Sequence, residues 1–216
     1  MSEEFVKYVY LKKTTHRCLD FLHEDDIDKF KKKFRKQKDD EKLNFHTARE
    51  LALGAYLRWK KLDARYEQEI DSKTPDWCIY GASDICGVVE LMNFHAHYER
   101  DDHFNKDTIP AGGGFVGWKE SNLPRLYDRI QNKVLKYKDL VEVRRIFFVI
   151  GIFCEFVADV ESQERKECFI GSEGLFNVSS NFSRVLIFKE GFANAFLDNY
   201  NFQYLNNPIA SEKINL

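Results

Sequence analysis

Two strand-length apolar segments constrain the fold of this chain more than any other feature. The first, Cys86 to Phe94, is apolar on both faces apart from Glu90 and Asn93. The second, Arg145 to Phe153, consists almost entirely of aliphatic and aromatic residues. Strands of this kind belong in the interior of a sheet that is covered on both faces. The chain therefore needs helices on both sides of a central sheet.

The segments around these two strands supply the helices and the remaining strands. Phe45 to Leu62 and Leu123 to Glu142 carry apolar residues at helical spacing. Three further segments are strand-like: Asp76–Tyr80, which a short turn joins to the first apolar segment as a hairpin, Arg184–Phe188 and Phe196–Leu205. We predict an α/β fold with a mixed central sheet flanked by helices.

The first 44 residues differ from the rest of the chain because they are heavily charged. Seven basic residues lie between Lys29 and Lys38, and Ile27, Phe30 and Phe34 form one narrow apolar stripe at helical spacing. We therefore divide the chain into a charged helical extension, residues 1–44, and an α/β domain, residues 45–216. The basic run is either a phosphate-contacting face or a solvated helix surface. A further hypothesis is that Leu19–Phe34 mediates homodimerisation.

Composition excludes several classes of protein. With 44% hydrophobic residues and 19 Phe, the chain is not disordered as a whole. No apolar run reaches the roughly 18 residues of a membrane span, and the acidic start shows no signal peptide, so we expect no membrane partner. Five cysteines without a CxxC pair indicate reduced thiols and a cytoplasmic protein. The net charge of -2 means that any contact with nucleic acid depends on a local basic patch.

Two acidic residues on neighbouring strands carry the chemistry. Asp76 follows Pro75 at the start of the hairpin, and Glu90 lies in the middle of its second strand. Two converging carboxylates, with water and phosphate oxygens, suit Mg²⁺, which activates water for phosphoryl transfer. The alternative is that Glu90 is a buried acid paired with Arg49 or Arg58.

These residues resemble a known group of nucleases. Pro75-Asp76-Trp77 followed by Val89-Glu90-Leu91-Met92-Asn93-Phe94-His95 is similar to the PD-(D/E)xK, or restriction-endonuclease-like, superfamily, and within it to bacterial proteins with a PDW…VELxNFH core. The resemblance covers roughly residues 45–210. It implies a nuclease-like α/β domain that hydrolyses phosphodiester bonds of DNA or RNA with Mg²⁺ or Mn²⁺. By position, Asp76 and Glu90 would be the metal ligands and Glu50 an auxiliary acid.

The chain departs from the superfamily pattern at one position. A lysine is expected two residues after Glu90, on the same face of the strand, and Met92 stands there. Lys133 or Lys136 on the following helix would replace it, with Tyr137 one turn beyond Lys133. The alternatives are that both lysines are solvated and that the protein is a catalytically degenerate binding or interaction module.

Two remaining features lie between Phe94 and Pro124. His95 and His97 would be zinc ligands only if a third and a fourth ligand came together with them, for which Asp101 or His103 are the candidates. Alternatively, His95 alone would act near a scissile phosphate if its end of the strand faces the cleft. The long polar segment with Gly112-Gly113-Gly114 is typical of a functional loop, with Lys106 and Lys119 available to contact substrate. Its glycines lack the spacing of a phosphate-binding loop.

Overall fold

The computed structural model describes residues 15–37, 39–82, 84–94, 98–100, 116–118, 122–154, 168–190 and 200–214. A six-stranded mixed sheet forms its centre, with the strands in the order β1-β2-β3-β6-β7-β8. The strands of this sheet are β1 (Asp63–Tyr66), β2 (Trp77–Tyr80), β3 (Ile85–Phe94), β6 (Phe147–Cys154), β7 (Phe182–Glu190) and β8 (Tyr200–Asn206). Strands β3, β6 and β7 are mutually parallel, and the other neighbours are antiparallel. A separate two-stranded sheet pairs β4 (Tyr98–Arg100) with β5 (Val116–Trp118).

Helices cover both faces of the central sheet. Helix α1 spans Glu24–Lys36, α2 spans Glu41–Trp59 and α3 spans Asn122–Arg144. Because side chains alternate along β3, Val88 and Met92 pack in the core beneath α3, whereas Val89 and Leu91 pack in the core beneath α1 and α2. We call these two surfaces of the sheet the α3 face and the α2 face. The predicted α/β class, with a mixed central sheet flanked by helices, is confirmed.

The first part of the chain is packed into the same core as the sheet. Phe30 of α1 is fully buried, and its ring stacks on Tyr66 with the ring centroids 4.1 Å apart and on Trp77 at 5.9 Å. Asp40 caps α2, and its side chain accepts a hydrogen bond from the backbone N–H of Leu43. The expected division between residues 44 and 45 therefore falls inside a helix. The apolar stripe of α1 covers this chain's own core.

Strand β1 is an element that the sequence pattern did not indicate. It has only four residues, and its charged positions Asp63 and Arg65 alternate with buried Ala64 and Tyr66. The helix Glu41–Trp59 also begins four residues earlier and ends three residues earlier than predicted. None of the described helices is long and apolar enough to span a membrane. The thiols of Cys18, Cys78, Cys86 and Cys168 are free.

Candidate functional site

Glu90 is an acid buried in the middle of the sheet, and its partners come from α3 and from the neighbouring strand. Its side chain is 2% exposed. Atom Oε2 accepts a hydrogen bond from Lys133 Nζ at 2.5 Å. Atom Oε1 accepts one from the Tyr137 hydroxyl at 2.5 Å and one from the backbone N–H of Asp76 at 3.3 Å. Neither Arg49 nor Arg58, the partners proposed in the alternative interpretation, is among these contacts. Lys133 neutralises Glu90 instead.

Asp76 lies beside Glu90 because of the strand register. Trp77, the first residue of β2, pairs with Val89 in antiparallel register, so the residue before the strand, Asp76, lies opposite Glu90. Asp76 Oδ2 accepts a hydrogen bond from the backbone N–H of Leu91 at 2.6 Å. The other oxygen, Oδ1, accepts none from the residues that the structure describes, and the side chain keeps partial access to solvent. Asp76 therefore presents one unpartnered carboxylate oxygen at the edge of the site.

Asp76 is a carboxylate close to two other negatively charged side chains. Burial and the nearby negative charges of Glu90 and Glu50 raise its pKa, the hydrogen bond from the Leu91 N–H and the charge of Lys133 lower it, and the net result is a pKa raised to about 7. A carboxylic acid with a pKa near neutrality at the edge of a site is typical of positions that bind a cation or move a proton.

Lys133, rather than Lys136, replaces the missing strand lysine in position. Lys133 and Tyr137 are four residues apart on α3, so they lie on one face of the helix and both reach Glu90. Lys136 is exposed, and its ammonium lies over the Tyr137 ring, 4.6 Å from the centroid. Met92 is 3% exposed and belongs to the apolar core, so no polar group occupies the usual lysine position.

Glu50 lies on the opposite face of the sheet from Glu90. It is 3% exposed, and its carboxylate is held by Lys33 Nζ at 2.8 Å, the Tyr66 hydroxyl at 2.6 Å and His46 Nε2 at 3.0 Å. Burial alone would raise its pKa, but the hydrogen bonds from His46, Lys33 and Tyr66 lower that pKa to about 2. Glu50 makes no hydrogen bond to Asp76 or Glu90, and it acts on Asp76 through its charge.

Sequence reasoning missed the groups that hold Glu50. Lys33 also bonds to the Tyr66 hydroxyl and, at 3.1 Å, to Glu67 Oε1. His46 Nδ1 lies 2.7 Å from the Asn93 side-chain nitrogen, so it bridges Asn93 and Glu50. The spacing of four residues between His46 and Glu50 was a detectable signal. Lys33 gave none, because it is one of seven basic residues in a run and contacts Glu50 only through the tertiary fold.

Whether a divalent cation can bind here depends on which side-chain atoms are available as its ligands. Among the described residues, no three His, Cys, Asp or Glu side chains lie close enough to hold a metal ion by themselves. Mg²⁺, however, commonly takes only one or two carboxylates and completes its shell with water and substrate oxygens. Asp76 Oδ1 is available as it stands, and Glu90 Oε2 becomes available if Lys133 moves aside. As the structure stands, Asp76 Oδ1 is therefore the one oxygen of the two carboxylates that accepts no hydrogen bond from the described residues.

Several predicted features lie outside the described residues. These are His95, His97, Asp101, His103, Lys106, the three glycines at 112–114, and Lys119. The predicted loop, Tyr98 to Pro124, is described only at β4, at β5 and at residues 122–124, which are not a loop because they begin helix α3.

Comparison of the chain with family models, with curated proteins and with solved structures finds no match in any of the three. The interpretation of the site therefore depends on the contacts of Asp76, Glu90 and Lys133.

Proposed function

We propose that this protein is a cytoplasmic, Mg²⁺-dependent phosphodiesterase with a restriction-endonuclease-like core that hydrolyses DNA or RNA. The single observation that carries the proposal is the environment of Asp76. Its carboxylate has one oxygen that accepts no hydrogen bond from the described residues and a pKa raised to about 7, and it lies beside Glu90, whose neutralising lysine comes from the next helix. A site that holds two acids and a lysine on neighbouring elements is suited to phosphoryl transfer.

The order of elements supports the same proposal. Apart from α1, β1, β4 and β5, the order along the chain is the helix with Glu50, the strand after Asp76, the strand with Glu90, helix α3 and the buried strand Phe147–Cys154. The resemblance to the PD-(D/E)xK superfamily implies this order for these five elements. Strand β3 is parallel to β6, which requires the helical crossover that α3 provides.

Each residue of the site has a distinct role in this proposal. Asp76 and Glu90 would hold the ion, which when bound polarises the phosphate and lowers the pKa of a bound water. Lys133 neutralises Glu90 in the ion-free site, and on moving aside for the ion it would supply a positive charge to the negative charge that develops on the phosphate. Tyr137 fixes the orientation of Glu90 through its hydroxyl. Glu50 adds negative charge near Asp76 from the other face of the sheet.

A second candidate function is a binding module that keeps the fold without catalysis. The observation that favours it is that both Glu90 oxygens already accept hydrogen bonds, and that Met92 leaves no lysine on the strand. In that case Lys133 is a structural partner of a buried acid, and the protein contacts nucleic acid without cutting it.

Cleavage assays separate the two functions. Purified protein is incubated with supercoiled plasmid and with single-stranded DNA and RNA in Mg²⁺ or Mn²⁺. We expect cleavage by the wild-type protein, nearly complete loss in Asp76→Asn and Glu90→Gln, and none of that loss in Asp25→Asn, a matched change at an exposed acid of α1. No cleavage by wild type under any of these conditions would favour the binding module. Equal cleavage by wild type and Asp76→Asn would show that the cleavage does not depend on this site, and would overturn the proposal.

A further inference from the structure

The α2 face of the sheet carries an aromatic cluster at its β8 edge, far along α2 from Glu50. Tyr56 of α2 stacks on Phe202 of β8 with the ring centroids 3.8 Å apart, and Phe202 stacks on Phe188 of β7 at 4.9 Å. Trp59 lies next to Tyr56 at 6.1 Å. Tyr204 follows Phe202 by two residues on β8, so the two side chains point to the same face of the strand.

Two rings of this cluster are exposed although they are large and apolar. The Trp59 side chain is 47% exposed and that of Tyr204 is 55% exposed. These two rings, beside a stack of buried and half-buried aromatic residues, offer faces onto which a flat, unsaturated group can stack. A single exposed ring would need no explanation, but a pair at the end of an aromatic stack is unusual.

Each exposed ring has a cation against its face. Lys60 Nζ lies 4.9 Å from the centroid of the Trp59 ring and 5.6 Å from that of Tyr56. The Arg184 guanidinium lies 4.7 Å from the centroid of the Tyr204 ring. Neither cation forms a salt bridge with a carboxylate of the described residues, so the cluster has a net positive charge.

Arg184 is an independent indication that the cluster needs an anion. It is 6% exposed, and it donates hydrogen bonds to Asn206 Oδ1 at 2.6 Å and to the Ile214 carbonyl at 3.3 Å. Its Nη1 is buried and donates no hydrogen bond within the part of the chain that the structure describes. A buried guanidinium without a carboxylate is costly, and a nearby phosphate would offset that cost.

We propose that this cluster, which we call the aromatic platform (Tyr56, Trp59, Lys60, Arg184, Phe202 and Tyr204), binds unpaired nucleotides of a single-stranded nucleic acid. Bases stack on Trp59 and Tyr204, and the phosphates between them are attracted by Lys60 and Arg184. The inference deepens the proposed function by naming the form of the substrate, and it depends on that function only for nucleic acid as the ligand. Trp59 is nine residues from Glu50 on the same helix, about 14 Å along its axis.

The test is the binding of a fluorescein-labelled oligothymidine of about 15 nucleotides, measured by fluorescence anisotropy in EDTA so that nothing is cleaved. An oligouridine of the same length and a DNA duplex serve as parallel ligands. We expect Trp59→Ala and Tyr204→Ala each to weaken the Kd for the single strands by roughly 5- to 100-fold. Trp59→Phe and Tyr204→Phe keep a ring and should bind nearly as the wild type does. Lys60→Gln should weaken binding and reduce its dependence on salt.

The control is Val143→Ala, which removes an apolar side chain that is 82% exposed on α3. It should leave the Kd unchanged, and thermal unfolding should show that all variants are folded. The inference is overturned if the wild type does not bind the single strands, if the two alanine variants bind as tightly as the wild type, or if the control loses as much. Tight binding without cleavage in Mg²⁺ or Mn²⁺ would overturn the phosphodiesterase and leave the platform standing. If the platform variants cleave as fast as the wild type and bind as tightly, the platform is overturned and the phosphodiesterase stands.

Discussion

Replacement of Lys133 by methionine tests the buried centre of the site. Glu90 is 2% exposed, and Lys133 is its only cationic partner among the described residues. Removing one partner of a buried ion pair costs about 3–5 kcal/mol, because the remaining charge is left uncompensated. Lys133 is 29% exposed, and Glu90 keeps its hydrogen bonds from Tyr137 and from the Asp76 N–H. We therefore expect a loss of about 2–3 kcal/mol in the free energy of unfolding for Lys133→Met.

The measurement is urea-induced unfolding at neutral pH, followed by far-UV circular dichroism. The matched control is Lys136→Met, three residues further along the same helix and exposed, which should change the free energy of unfolding by less than about 0.5 kcal/mol. The double variant Lys133→Met with Glu90→Gln no longer carries the negative charge of Glu90 that Lys133→Met leaves without a partner. Its free energy of unfolding should therefore be at least about 1 kcal/mol higher than that of Lys133→Met alone. Equal and small effects of the Lys133 and Lys136 changes would refute the buried ion pair.

Three further predictions concern other parts of the structure. The pKa of Asp76 is about 7 in the folded protein and about 4 in an unfolded chain, so the folded state binds the proton more tightly. The free energy of unfolding should therefore fall as the pH rises from about 4 to about 7. Asp76→Asn should remove that fall in urea unfolding, and an unchanged pH profile would contradict the prediction. Met92→Lys places an ammonium group in a core position that is 3% exposed, so it should lower the free energy of unfolding by several kcal/mol in the same assay and should not increase cleavage. A stable variant with faster cleavage would show that a side chain at position 92 can reach the site. Phe30→Ala removes a buried ring stacked on Tyr66 and Trp77, so it should cost about 3–5 kcal/mol; a near-neutral effect would mean that α1 is separate from the core.

The sequence pattern predicted the fold best where burial alone decides the structure. Strand β6 is apolar over its whole length and β3 is apolar apart from Glu90 and Asn93, and the residues that face the core from α3 recur at helical spacing, so hydrophobic patterning was sufficient. Strand β1 was missed because two of its four residues are charged, and its place in the sheet comes from pairing with β2. Pairing of that kind depends on the tertiary structure rather than on local preference.

The site was predictable only in part, for the same reason. Asp76, Glu90 and Lys133 come together because strand register and helical spacing are local rules. The resemblance implied Glu50 as an auxiliary acid of the site, but Glu50 lies on the α2 face, where Lys33 neutralises it. That contact joins residues 17 positions apart through the packing of α1 on α2, which no periodicity in the sequence encodes.

The most direct test of the account is a titration of the protein with Mn²⁺, followed by electron paramagnetic resonance of the free ion. Binding should strengthen as the pH rises through about 7, because the Asp76 carboxyl must lose its proton to become a ligand. We expect the wild type and Asp25→Asn to bind the ion, and Asp76→Asn and Glu90→Gln to lose it. A wild-type protein that leaves all of the Mn²⁺ free, or an Asp76→Asn variant that binds it equally well, would contradict the claim that these two strands share a cation.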